Sequence, residues 1–148
     1  GPGTWAIILA SMIGLALSCC LLLSACGDIN DPVLTKVEVL VNDQVTQSLD
    51  VAQSGSNFIK SDVDPNAVFR LVYDEPVLLN TAEAHIFIKD AKDNKVASTI
   101  SQKLVDIIVT PGSPMVGGQN HTLVVEPGID DASNNTTSHS YNITFYVK

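Results

Sequence analysis

The residues able to do chemistry in this chain are few and scattered. His85, His121 and His139 share no His-x-x-x-His spacing, so they offer no ready pair of nitrogen ligands, and each reads as a packed or exposed side chain. Oxygen ligands come closer: Asp130 and Asp131, with Asn134 behind them, are candidate calcium ligands, since Ca²⁺ is held by carboxylate and carbonyl oxygens. They lack the alternating acids of an EF-hand loop, however, and an Asp-Asp-x-x-Asn turn is more simply a solvated loop. Asp62-Val63-Asp64 reads the same way. Asp74 and Glu75 are adjacent, and neighbours on a strand point to opposite faces, which argues against a shared acid–base pair. The chain has no Gly-x-Ser-x-Gly elbow, no phosphate-cradling glycine loop and no cysteine after Cys26. No catalytic residue, resident metal or cofactor is therefore expected. Four Asn-x-Thr sequons, at Asn120, Asn134, Asn135 and Asn142, are candidate glycan acceptors.

The positions of charge and sulfur divide the chain. Its 148 residues carry 16 Asp+Glu against 8 Lys+Arg, a formal charge of −8. That balance argues against a nucleic-acid binder, which needs a basic face to neutralise phosphates. Every charged residue lies at or after Asp28, and Cys19, Cys20 and Cys26 all lie before it. The expected organisation is an uncharged leader over residues 1–25, a short tether over 26–32 and one domain over 33–148. The domain has no cysteine, so packing and not disulfides must hold it.

The leader's 21 residues from Trp5 to Ala25 contain no charge, and as a helix they would span roughly 32 Å, enough to cross a bilayer core. Its end, Leu23-Ser24-Ala25-Cys26, resembles the bacterial lipobox. That resemblance implies cleavage before Cys26 and a covalent lipid on its thiol, with Gly27 directly behind it favouring outer-membrane or surface placement. One cysteine carrying diacyl and N-acyl chains is a stable anchor, where a single chain is marginal. Cys19 and Cys20 lie within the apolar run and read as small hydrophobes. The chain opens Gly1-Pro2-Gly3, without the Met and basic segment of a secretory signal, as a truncated, processed or engineered start would. The alternative is a retained helix, as in pilin-like filament subunits.

After Asp28, short apolar runs of period two alternate with turn signals. Val33–Val45 reads as one strand, with Lys36 and Glu38 on its polar side. Phe69, Leu71 and Tyr73 share a face, as do Tyr141, Ile143, Phe145 and Val147. His85–Lys89 and Lys95–Ile100 flank a five-residue hairpin loop. Leu104–Val109 and His121–Val125 add two more strands. About seven strands at this spacing predict an all-β antiparallel sandwich, and no segment after Asp28 has a sustained helical period. Such a sandwich has open edges, which Lys36, Glu38 and Lys92 are expected to blunt.

The stretch from Phe69 to Lys148 resembles the bacterial Ig-like domains of S-layer and other cell-surface proteins. The resemblance is carried in order by FRLVYDEPV (Phe69–Val77), IFIKDAKDNKV (Ile86–Val96), VTPGSPMVGGQNHTLVVEPGIDDASNN (Val109–Asn135) and the closing YNITFYVK. Met115, His121 and Asn134 depart from the usual Leu, Tyr and Gly. The resemblance implies a spacer, stalk, adhesive or binding platform and no enzyme. Together with the leader it yields an expected cell-envelope lipoprotein, anchored in the membrane through Cys26 and meeting a protein or glycan at the surface. The alternative is an extracellular filament subunit that self-associates, with the apolar helix in the core and Ig-like domains outside.

Overall fold

The structure, a computed structural model, describes residues 28–52 and 57–148. The chain falls into two units, Gly1–Asn30 and Asp31–Lys148. Of the first, the described residues form a short turn in which the Asn30 amide donates to Asp28 Oδ1 at 3.0 Å. The leader, with Cys19, Cys20 and Cys26, lies outside the described residues.

Among its described residues the second unit contains ten strands: β1 (Leu34–Val41), β2 (Gln44–Asp50), β3 (Asn57–Phe58), β4 (Val68–Tyr73), β5 (Ile86–Lys89), β6 (Lys95–Val96), β7 (Ser98–Lys103), β8 (Asp106–Pro111), β9 (Gln119–Val125) and β10 (Tyr141–Val147). One sheet runs β2-β1-β4-β8-β7 and the other β3-β10-β9-β5-β6. β3 pairs with β10 in parallel, and the remaining pairs are antiparallel. The all-β sandwich anticipated from the alternation is present, with more and shorter strands than the seven expected.

Period-two alternation forms it. Phe69, Leu71 and Tyr73 of β4 turn inward against Tyr141, Ile143, Phe145 and Val147 of β10, all at 3% exposure or less. The Phe69 and Phe145 rings meet at 4.8 Å between centroids, tilted by 46°, an arrangement aromatic quadrupoles favour. Val37, Ile88, Ile107 and Leu123 complete the same core, each with no accessible surface.

Three local readings are corrected. Val33–Val45 is not one strand: Asn42 (φ 50°) and Asp43 (φ 62°) make a two-residue turn into β2, the positive-φ geometry whose twist matches paired strands and which Asn and Asp tolerate. A helix, α1 (Leu79–His85), stands where none was expected. At seven residues it is too short to write a helical period, and it exists because Ala82 packs into the core and the chain must cross from β4 in one sheet to β5 in the other. Finally, Lys36 and Glu38 do not blunt an edge, because β1 has a partner on each side. Glu38 is 8% exposed under Arg70, whose Nε donates to Oε1 at 3.0 Å. Lys92 lies in the β5–β6 loop. The second sheet's edges are blunted by brevity: β3 and β6 have two residues each.

Candidate functional site

Two five-residue loops of the same kind are built on an aspartate. In the β5–β6 loop, Asp90 Oδ1 accepts the amides of Lys92 (2.9 Å) and Asn94 (3.0 Å), while the Asp90 amide donates to the Asn94 carbonyl at 2.9 Å. In the β9–β10 connection, Asp131 Oδ1 accepts the amides of Ser133 (2.8 Å) and Asn135 (2.9 Å), and the Asp131 amide donates to the Asn135 carbonyl at 2.9 Å. The fourth residue of each is left-handed, Asp93 at φ 63° and Asn134 at φ 64°. The sequences are Asp-Ala-Lys-Asp-Asn and Asp-Ala-Ser-Asn-Asn. This Asp-Ala-x-(Asp/Asn)-Asn repeat is a legible signal that the sequence reading passed over.

The Asp131 loop is also tied to α1. Thr81 Oγ1 accepts the Asp130 amide at 3.0 Å, and the Asp130 carbonyl accepts the Leu78 amide at 2.8 Å. Thr137 Oγ1 accepts the amides of Gly128 (3.2 Å) and Ile129 (2.9 Å). Gly128 has φ +113°, and a Cβ there would lie 2.7 Å from Nε2 of His85. The His85 ring is itself held by Nδ1–H donating to the Thr81 carbonyl at 2.7 Å.

Asp130 and Asp131, the two calcium candidates, point their oxygens at this scaffold. Asp130 Oδ1 accepts the Thr136 hydroxyl at 2.6 Å. Asp131 is 3% exposed, and its Oδ2 accepts Nδ2 of Asn135 at 2.9 Å. Burial pushes the Asp131 carboxyl up, but hydrogen bonds from Asn135, Glu75 and Ser133 outweigh it and hold it down at about 2. Carboxylate oxygens of Glu75 and Asp131 lie within 4.8 Å of each other, so Glu75 is brought to a partner other than its neighbour Asp74. Asp74 Oδ1 instead accepts the Val33 amide at 2.8 Å, fastening the start of the sandwich. In Asp62-Val63-Asp64, Val63 is buried, pairing with Val147, and Asp64 Oδ1 caps the Asn66 amide at 2.8 Å.

The histidines are not brought together. His85 ends α1, His139 is exposed beside the Tyr141 ring, and His121 is 1% exposed on β9 with its ring stacked on Phe145. Of the sequons, Asn120 and Asn142 are exposed on β9 and β10, Asn134 is exposed at its loop tip, and Asn135 is part-buried against Asp131. A groove of about 460 Å³ opens between β2 and residues 58–60. It is lined by core side chains such as Val37, Val39 and Ile59, and is the open side of the sandwich, not an equipped cleft.

The outer face of the second sheet is flat and differently equipped. Ile143, Leu123 and Ile88 form an inward row across β10, β9 and β5, so the next row faces out: Phe58, Thr144, Thr122, Lys89 and Lys95, one residue from each of the five strands. Phe58 is 59% exposed, and Tyr146, paired with Asn120, is 43% exposed on the same side. The Lys95 ammonium stands 4.2 Å from the centroid of the Phe87 ring.

The profile of the bacterial Ig-like domain family matches residues 46–147. It begins within β2, well ahead of Phe69. No curated protein matches the chain. Among solved structures, the N-terminal part of the bacterial S-layer protein SbsC is 20% identical over 62% of this chain and 24% of that one, with a TM-score of 0.42. A longer piece of SbsC, residues 31–844, is 19% identical over 62% of this chain and 14% of that one, with a TM-score of 0.43. The chain thus spans less than a quarter of the S-layer structures it is similar to.

Proposed function

The chain belongs to the bacterial Ig-like domain family, and from that premise we propose that it is a non-enzymatic structural module of the cell envelope, held to the membrane by a lipid on Cys26. The observation that carries the reading is the place of the Leu-Ser-Ala-Cys stretch in the sequence, shortly ahead of the first strand of the domain. Leu-Ser-Ala-Cys ends at Cys26, and β1 starts at Leu34, with Val33 already fastened to Asp74. β1 starts beside the end of β4, at Tyr73, whereas β10 finishes beside Val63 and Asp64, near the end of β1. The domain's first and last strands therefore lead from one pole to the other, and the far pole projects outward.

An intact mass and an N-terminal peptide spectrum of the protein from its native envelope test the reading. A chain beginning at triacylated or diacylated Cys26 is expected. A chain with an unmodified Cys26 and an uncut leader overturns it and favours the filament subunit, whose fibres would then be sought by electron microscopy.

A further inference from the structure

Five residues stand in one row across the outer face of the β2-β1-β4-β8-β7 sheet, one from each strand: Asp50, Lys36, Val72, Asp106 and Lys103. Their charges run negative, positive, neutral, negative, positive. From the opposite end the signs invert, so the row is antisymmetric about Val72. A twofold axis laid over this face parallel to β4 keeps the row and reverses the strand order. It sets Asp50 over the second copy's Lys103, Lys36 over its Asp106 and Val72 over its Val72, and repeats both ion pairs across the axis. We propose that this face is the contact surface of an isologous dimer, its partner a second copy of this chain. The dimer goes beyond the anchored-module reading and stands whether or not Cys26 is acylated.

Three observations select a second copy. The charged heads are available: Lys36 stands opposite Asp50 and Lys103 opposite Asp106 in the register, yet neither couple forms an ion pair within the chain. Asp50 and Lys103 are exposed at the two edges, and Lys36 keeps 41% of its side-chain surface. The face is also neutral. Its five strands carry Lys36, Arg70 and Lys103 against Glu38, Asp50 and Asp106, so the acids that give the chain its charge of −8 lie elsewhere. At physiological salt those outlying charges are screened beyond ~8 Å, and pairs in contact much less. Finally, the centre is apolar. Leu40, Val68 and Ile108 line a depression of about 440 Å³ bordered by Arg70, Lys103, Asn42 and Asp43, the apolar middle and polar rim that protein interfaces share. Arg70 meets the second copy's Arg70 at the axis, where each guanidinium is already matched by its own Glu38 at 3.0 Å. Aligned sheets pack with strands within about 30° of one another and faces ~10 Å apart, a gap that a lysine and an aspartate span together. Four strand spacings make the face ~19 Å wide, which places the contact at the small end of specific interfaces. A twofold contact closes on itself, so it yields a dimer and not a fibre.

Sedimentation velocity of the full chain over a range of concentrations, in density-matched detergent at about 0.15 M salt, tests this. A concentration-dependent dimer is expected. Lys36→Glu/Lys103→Glu and Asp50→Lys/Asp106→Lys should each raise its dissociation constant more than about tenfold, because each gives the row a single sign. Both change only outward side chains. Mixed together, the two variants should associate with one another, since an acidic row then meets a basic one. Lys89→Glu/Lys95→Glu, the same change in net charge on the other sheet, should leave the dimer as it is. A monomeric parent overturns the proposal, as does a dimer that Lys36→Glu/Lys103→Glu leaves intact. An equal loss in Lys89→Glu/Lys95→Glu overturns it too, as do reciprocal variants that fail to associate when mixed. Association through residues 1–25 would survive every one of these substitutions, which separates it from association through the sheet.

Discussion

Asp131 and Asn135 are joined by three hydrogen bonds of 2.9 Å each: amide to carbonyl in one direction, and backbone amide and side-chain amide to the carboxylate in the other. This closed unit holds the long β9–β10 connection, and through Asp130 and Thr81 it holds α1 as well. Replacing Asp131 by Ala leaves the Ser133 and Asn135 amides without their acceptor. The expected loss is about 1.5–3 kcal/mol, the usual range for hydrogen bonds to a charged group, read as a shift of the urea midpoint with an unchanged slope.

Asp131 also sets a pH dependence. Its carboxyl is held at about 2 in the folded chain, below the ordinary Asp value of about 3.9. A depressed folded pKa means the unfolded chain binds the proton more readily, so stability falls as pH falls. The contribution is complete above about pH 4 and disappears as pH drops through about 2. Asp90, in the matching loop, is shifted in the same direction by the Asn94 amide. Urea midpoints measured from pH 6 to pH 2 should fall less steeply for Asp131→Asn than for the parent. Parallel curves would show that Asp131 is not the titrating group.

Arg70 covers Glu38 on the outward side of a strand that has neighbours on both sides. The Arg70 guanidinium hydrogen bond, against the cost of burial, holds the Glu38 carboxyl below its usual range. Arg70→Met should cost about 1.5–3 kcal/mol by leaving a buried carboxylate with only the Lys36 ammonium, 3.9 Å away, as its partner. Adding Glu38→Leu to it should recover most of that. A double variant no better than Arg70→Met alone would mean that Arg70 contributes through packing and not through the pair.

Gly128 is doubly constrained. Its φ of +113° suits no side chain, and a Cβ would press on the His85 ring. Gly128→Ala should cost about 1–3 kcal/mol. His85→Ala introduced beside it should recover only part, because removing the ring relieves the clash and not the backbone strain. Thermal unfolding of the three variants separates the two contributions.

Leu104 turns the β7–β8 hairpin at φ 57° with 82% of its surface exposed. A branched side chain is strained there, and Asn tolerates the left-handed region better. Leu104→Asn should therefore stabilise the domain by about 0.5–1 kcal/mol, visible as a raised Tm. A lowered Tm would mean that the leucine makes a compensating contact.

The sequence by itself determined what depends on neighbours along the chain. Alternation in Phe69–Tyr73 and Tyr141–Val147 marks which side chains leave water, because a strand's faces repeat every two residues. The Asp-Ala-Lys-Asp-Asn and Asp-Ala-Ser-Asn-Asn loops are equally local, closed by an aspartate on its own downstream amides. Only the tertiary structure decided pairing. Nothing near Lys36 and Glu38 reveals that β2 and β4 flank them, so charges expected at an edge lie in the middle of a sheet. Lys95–Ile100 looks like one strand, yet Ala97 is where the chain leaves one sheet for the other. The inward Asp131, the crossing helix α1 and the outward row from Phe58 to Lys95 all join residues far apart in the chain. Their geometry is set by register and sheet order, which the burial of both sheets against one core fixes collectively and no short segment encodes.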